Sequence, residues 1–168
     1  HGYEDMKSIY APWRMEYIRG KKVEGCIFCR DSIRDDGFVL HDGKHAFIIM
    51  NRYPYITGHL MVAPHRHVRN IEELRLEEHC EMFDLTARCV KVLKAAMDPQ
   101  GFNLGMNLGR AAGAGVEDHL HMHIVPRWVG DTNSLSVFGE VRIISEDIMK
   151  TKELLLPHFR RYEEEVRP

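Results

Sequence analysis

His119, His121 and His123 occupy alternate positions of His119-Leu120-His121-Met122-His123-Ile124-Val125, with apolar residues between and after them. In an extended strand successive side chains point to opposite faces, so the three imidazoles share one side and Leu120, Met122 and Ile124 the other. Imidazole is the side chain that serves as nucleophile, general acid or base, or metal ligand near neutral pH. Packing gives no reason to place three of them together without interleaved acids or lysines. We read this face as a reactive site.

A second group of chemistry-bearing residues begins at Cys26-Ile27-Phe28-Cys29. Two thiols separated by two residues match one knuckle of a tetrahedral zinc site, which needs two further ligands. A redox Cys-x-x-Cys opens a helix after a strand, and that setting is absent here. The chain has 11 histidines, and among them His59, His65, His67 and His119 lie in segments able to complete the site. Ahead of the histidine strand, Asn107 carries an amide donor, and Gly109, Gly113 and Gly115 let backbone N–H groups approach a phosphate oxygen closely.

The histidine run resembles the signature of the histidine-triad (HIT) family, His-φ-His-φ-His-φ-φ with φ apolar, over all seven positions. The stretch from Asn51 through Pro54, Gly58 and His59 to Pro64 is similar to the family's upstream segment. Asn107–Gly115 resembles its phosphate loop, and Pro126-Arg127-Trp128 its exit from the triad strand. Together these cover about residues 22 to 130. That exit and the opening Ala11-Pro12-Trp13-Arg14 look closest to the branch containing diadenosine-tetraphosphate phosphorylases and related hydrolases.

The resemblance implies nucleotidyl transfer through a covalent phospho-histidine, with His121 as nucleophile, His123 donating to a non-bridging phosphate oxygen and His119 positioning His121. It implies that Asn51 meets the ribose hydroxyls and that Asn107, Gly113 and Gly115 hold phosphate. Phe47 and Ile49 would flank the base, although both also suit plain core packing, and Trp128 would stack on a second nucleoside. Where many members carry Ser or Thr, this chain has Ala114-Gly115-Val116, so that phosphate contact must come from backbone. By similarity to zinc-bearing relatives, including the galactose-1-phosphate uridylyltransferase branch, Cys26, Cys29, His67 and His119 would hold one structural Zn²⁺, with His65 as the alternative to His67. No organic cofactor is expected. The implied substrate is a dinucleoside polyphosphate of the diadenosine tetraphosphate kind, and the implied assembly is a homodimer. Three alternatives stand beside it: a nucleoside phosphoramidase, a hydrolase with a catalytic metal on the three histidines, and a non-catalytic zinc-stabilised nucleotide-binding module.

At 168 residues the chain is expected to form one domain with a sizeable core. His1–Asp5 precede Met6, a possible native start, and read as an added remnant; residues 6–168 then form the domain, with a core at about 22–130 and a C-terminal extension over 131–168. Net charge is −2 with the signs interspersed, which argues against a nucleic-acid polymer as partner. Without a long apolar run or a charged-then-apolar leader, neither membrane nor secretion is expected, and the predicted location is cytoplasmic.

The elements that must position these residues follow from pattern. Residues 8–19 predict a short helix or arm. Asp42-Gly43 between apolar runs predicts a hairpin, Gly58–Ala63 a strand ended by Pro64, and Asn70-Ile71-Glu72-Glu73 a capped helical start. Leu76, Cys80, Phe83, Ala87, Val90, Leu93 and Met97 step by three or four, predicting one amphipathic helix stopped at Asp98-Pro99, with Cys80 and Cys89 as small core residues. Strands at Phe102–Asn107 and His119–Val125 and a helix from Ser145 to about Tyr162 complete the reading. The fold class is α+β: an antiparallel sheet of about five strands covered on one side by a long helix and a C-terminal helix.

Overall fold

The Asp42-Gly43 turn joins β1 (Val39–Asp42) to β2 (Ala46–Met50) in an antiparallel hairpin that pairs Asp42 with Phe47. In a computed structural model of the chain, which describes residues 26–29, 37–51, 57–113, 119–131 and 148–166, this hairpin is one side of a larger sheet. β3 (Leu60–Pro64) pairs with β2, β5 (Met122–Arg127) with β3, and β4 (Gly101–Gly105) with β5. The sheet has five strands in the order β1-β2-β3-β5-β4, all pairs antiparallel. With two α-helices on it among the described residues, the chain has the predicted α+β architecture. The predicted arm at 8–19, Ala11–Arg14, Gly115 and the expected helix start at Ser145 lie outside the described residues.

Strand alternation sorts the core into two layers. Ala46, Ile48, Met50, Leu60, Val62, Leu120 and Ile124 lie under helix α1 (Leu76–Met97), with Met122 packed against them. Phe47, Ile49, Met61 and Ala63 belong to the opposite layer, which Phe28 closes. Met61 pairs with His123 across β3 and β5, and directly opposed residues share a face, so the histidines stand on the side away from α1. The strand proper begins at Met122, later than the predicted His119, while Leu120 is still buried on the helix side.

Helix α1 spans the predicted length, and Asp98 ends it in a left-handed conformation before Pro99. Its buried face differs from the predicted one. Glu78, Met82, Leu85, Thr86, Cys89, Val92 and Leu93 are buried, whereas Leu76 and Phe83 are 73% and 75% exposed and Cys80 is exposed. The helix carries two overlapping apolar stripes, and an ion pair decides between them. The Glu78 carboxylate is buried, accepts from Arg66 Nε and Nη2, and also accepts the Arg75 backbone N–H at 2.9 Å. Anchoring Glu78 against the segment after β3 rotates Met82 and Leu85 inward and Leu76 and Phe83 outward. Just upstream, Glu73 accepts the Asn70 N–H at 3.1 Å in the predicted capping box, but the turn it caps is a separate 3₁₀ turn, Ile71–Glu73.

Helix α2 (Ile148–Val166) buries Thr151, Leu155 and Phe159, one per turn, and places Tyr162 beneath Arg88 and Lys91 of α1. His41–Glu163 and the Lys152 ammonium on the Gly37 carbonyl fasten α2 to the β1 end of the sheet. Among the described residues no helix is long and apolar enough to cross a membrane.

At the start of β3, Gly58 adopts φ +84°, and a Cβ there would meet Met97 Sδ at 2.8 Å, Pro126 Cγ at 3.2 Å and Leu93 Cδ2 at 3.3 Å. Both backbone and space demand glycine. Gly58→Ala is therefore expected to lower stability by about 2 kcal/mol or more in urea denaturation, from left-handed strain plus overpacking. A loss of only a few tenths would show that the neighbours yield freely.

Candidate active site

β5 and the residues leading into it carry the triad, and each of its histidines has different partners. His121 Nδ1 lies 2.9 Å from the His119 carbonyl, which can only accept, so Nδ1 holds the proton and Nε2 carries a lone pair. The His121 ring is buried, stacks on Phe28 at 4.7 Å and meets His123 edge-on at 4.7 Å. Burial pushes its pKa down, opposed by the hydrogen bond to His119. His119 is turned elsewhere. Its Nε2 donates to the Pro64 carbonyl at 2.7 Å, and its Nδ1 faces Cys26 Sγ at 3.2 Å and Cys29 Sγ at 3.8 Å. His123 Nδ1 lies 2.9 Å from His59 Nε2. The three histidines therefore do not converge on one point, which removes the geometry that a single catalytic metal shared by all three would need.

Cys26, Cys29, His67 and His119 do converge, with ligand atoms within 4.8 Å of one another. His67 Nδ1 is 3.3 Å from Cys29 Sγ. Tetrahedral zinc at ordinary bond lengths separates sulfur from nitrogen by about 3.5 Å, close to the separations seen here. The His119 tautomer also fits, because its outer Nε2–H is spent on a carbonyl and Nδ1 is left to bind, the usual support for a ligating histidine. Burial pushes the Cys26 thiol up to about 11, and a bound divalent cation would reverse this by taking the thiolate. Of the two candidates for the third ligand, His65 points away, its Nε2 on the Gly43 carbonyl at 2.8 Å and near Asp42 at 3.0 Å.

The remaining predicted residues are more dispersed. Gly105 pairs with His123, so Asn107 leaves β4 beside the triad, and the exposed loop from Gly109 through the 3₁₀ turn Arg110–Ala112 to Gly113 follows it. Gly109 at φ +80° is a conformation suited to glycine. Phe47 and Ile49 are buried in the apolar layer on the triad face. Trp128 is half-buried just beyond β5, about 16 Å along the chain from His123 at strand rise. A buried carboxylate holds that corner: Asp131 accepts Arg127 Nε and Nη2, both at 2.9 Å, and the Trp128 N–H at 3.1 Å. Asn51 turns its Nδ2 to His59 Nδ1 at 3.3 Å.

Two site residues escaped the sequence reading. Phe28, 1% exposed, was only a spacer in the knuckle, and nothing in its neighbours marks its packing on His119 and His121. His59 was weighed only as a metal ligand. Alternation offered a signal, since His59, Met61 and Ala63 share a face opposite Leu60 and Val62.

Residues 34–129 match the HIT domain. The chain belongs to the HIT family. It is 39% identical over 169 residues to the AP-4-A phosphorylase of Mycobacterium tuberculosis, covering 94% of this chain and 87% of that one. A hypothetical histidine triad nucleotide-binding protein from Sulfolobus tokodaii superposes with a TM-score of 0.65 at 28% identity, over 84% of this chain and 93% of that chain. A Zn-bound histidine triad family protein from Mycobacterium smegmatis gives 0.62 at 22% identity, over 76% of this chain and 87% of that chain, and shares the fold. Among the described residues, no helix covers the triad face of the sheet.

Burial holds His59 down to about 3 and His123 to about 4, against an ordinary value of 6.5. Below about 6.5 the unfolded chain binds protons that these folded imidazoles refuse, so stability falls as pH drops from 6.5 toward 4. Chemical denaturation at pH 7.5, 6 and 5 should show this decline, and His59→Leu should flatten it. An unchanged slope in the variant would assign the decline to other groups.

Proposed function

We propose that this HIT protein cleaves dinucleoside polyphosphates of the diadenosine tetraphosphate kind at an α-phosphate, through a nucleotidyl group held covalently on His121. The observation that carries this reading is the His121–His119 carbonyl hydrogen bond, which leaves the Nε2 of a buried His121 unprotonated. Nε2 attacks the α-phosphorus in line, the P–N bond forms and the P–O bond to the departing nucleoside polyphosphate breaks. In the second step an acceptor oxygen attacks phosphorus, the P–N bond breaks and the imidazole is regenerated. His123 donates to a non-bridging oxygen as charge shifts, aided by Asn107 and the backbone of Gly113 and Gly115. Asn51 meets the ribose, Phe47 and Ile49 the base, and Trp128 the second nucleoside, a role that suits its distance from the triad. The likeness to the mycobacterial phosphorylase supports an adenine dinucleotide as substrate and inorganic phosphate as acceptor.

Cys26, Cys29, His67 and His119 would hold one zinc ion. With four protein ligands and no open position, zinc would act as a structural tie between the N-terminal knuckle and the approach to β5. We further propose a homodimer formed along β4, an edge strand of the sheet among the described residues, whose Leu104 is 50% exposed.

Incubation with diadenosine tetraphosphate and phosphate is expected to yield ADP and ATP. AMP and ATP formed equally with and without phosphate would make water the acceptor. His121→Ala should lower turnover by about three orders of magnitude or more with an unchanged fold. Retention of a tenth of wild-type activity would remove His121 from the nucleophile's role.

Elemental analysis of protein purified without chelator should find about one zinc per chain. Cys29→Ser and His119→Ala should both lose the metal and melt at lower temperature, whereas His123→Ala should keep it. Full zinc occupancy in His119→Ala would overturn the site.

A further inference from the structure

Behind the triad lies a hydrogen-bonded chain with a single permitted direction. Asn51 Nδ2 is 3.3 Å from His59 Nδ1, and His59 Nε2 is 2.9 Å from His123 Nδ1. An amide nitrogen only donates, so His59 Nδ1 must accept. His59 is 6% exposed, and its burial beside the other imidazoles pushes its pKa down to about 3, so at neutral pH its ring carries one proton. With Nδ1 accepting, that proton sits on Nε2 and is donated to His123 Nδ1. His123, likewise neutral, must then hold its own proton on Nε2.

We propose that Asn51 and His59 are positioning residues that lock His123 in the Nε2–H tautomer, so that it meets the reacting phosphate as a donor. The backbone supports the same pairing: the Asn51 N–H bonds the His59 carbonyl at 3.1 Å, holding the end of β2 against the residue before β3. Gly58, whose close approach to Leu93, Met97 and Pro126 leaves no room for a side chain, sets where His59 enters. The opposite His123 tautomer would place two N–H groups between His59 and His123 or, if His59 switched as well, two N–H groups between His59 and Asn51. Either is costly in a buried site. The function of this lock rests on the reading of His123 as a phosphate donor, whereas the tautomer itself does not.

The test is nitrogen-15 NMR of the histidine rings in substrate-free, metal-replete protein, combined with steady-state kinetics. Wild-type His123 should be protonated at Nε2. His59→Leu should give a mixture of His123 tautomers and lower kcat for diadenosine tetraphosphate about tenfold or more, with KM within about twofold. His59→Gln, whose amide donor lies near the lost Nε2, should restore kcat to within about threefold. A wild-type His123 protonated at Nδ1 would overturn the proposal, and that measurement needs no variant to fold. So would a His59→Leu protein that keeps either wild-type kcat or the single tautomer. If His121→Ala remained active, the covalent reading would fall while the His123 tautomer stood.

Discussion

The site hangs on three of the polar atoms of one residue. His119 donates from Nε2 to the Pro64 carbonyl, offers Nδ1 to the cysteine pair, and accepts the His121 Nδ1–H at its own carbonyl. Its ring is 1% exposed, so none of these bonds competes with water. In that setting each polar atom must be satisfied by the protein or incur a desolvation cost of about 1–3 kcal/mol. One buried imidazole thereby links the end of β3, the N-terminal knuckle and the tautomer of His121. Phe28, held between the two cysteines, closes the arrangement by stacking on the His121 ring.

The same burial sets the electrostatics. His59, His119, His121 and His123 all have their pKa values pushed down, with desolvation the largest cause in each. Four clustered imidazoles cannot all be cations, and on this face at neutral pH they are neutral groups with one proton each. The hydrogen bonds then decide which nitrogen is bare and which donates, and neighbouring carbonyls and one amide supply those bonds. In the proposed mechanism a nucleophile with a free Nε2, His121, stands next to a donor with a protonated one, His123. This is preorganisation through fixed dipoles in place of ionic charge, and it needs a dry face backed by Phe47, Ile49, Met61 and Ala63.

Helix α1 shows how a polar pair overrides an apolar stripe. Either of its two stripes would satisfy helical periodicity. A carboxylate that is 3% exposed needs its partners, and the guanidinium of Arg66 and the Arg75 N–H are available in only one rotation of the helix. Burying Met82, Leu85 and Cys89 follows from that choice. Leu76, Cys80 and Phe83 face outward because Glu78 faces inward.

What the sequence determines by itself is local or periodic. Alternation put His121 and His123 on one face and Leu120 and Ile124 on the other; Asp42-Gly43 made the hairpin; Asp98-Pro99 ended the helix; the knuckle spacing marked Cys26 and Cys29 as a pair. Each rests on contacts between residues close in the chain, which composition and period encode directly. The tertiary structure alone brought His67 rather than His65 to the cysteine pair, turned α1 about its axis, set Phe28 on His121, and connected Asn51 through His59 to His123. Those outcomes depend on which distant group completes the hydrogen bonds of a buried polar atom. His119 meets Cys26 across 93 positions and His123 meets His59 across 64, and no local pattern carries that pairing.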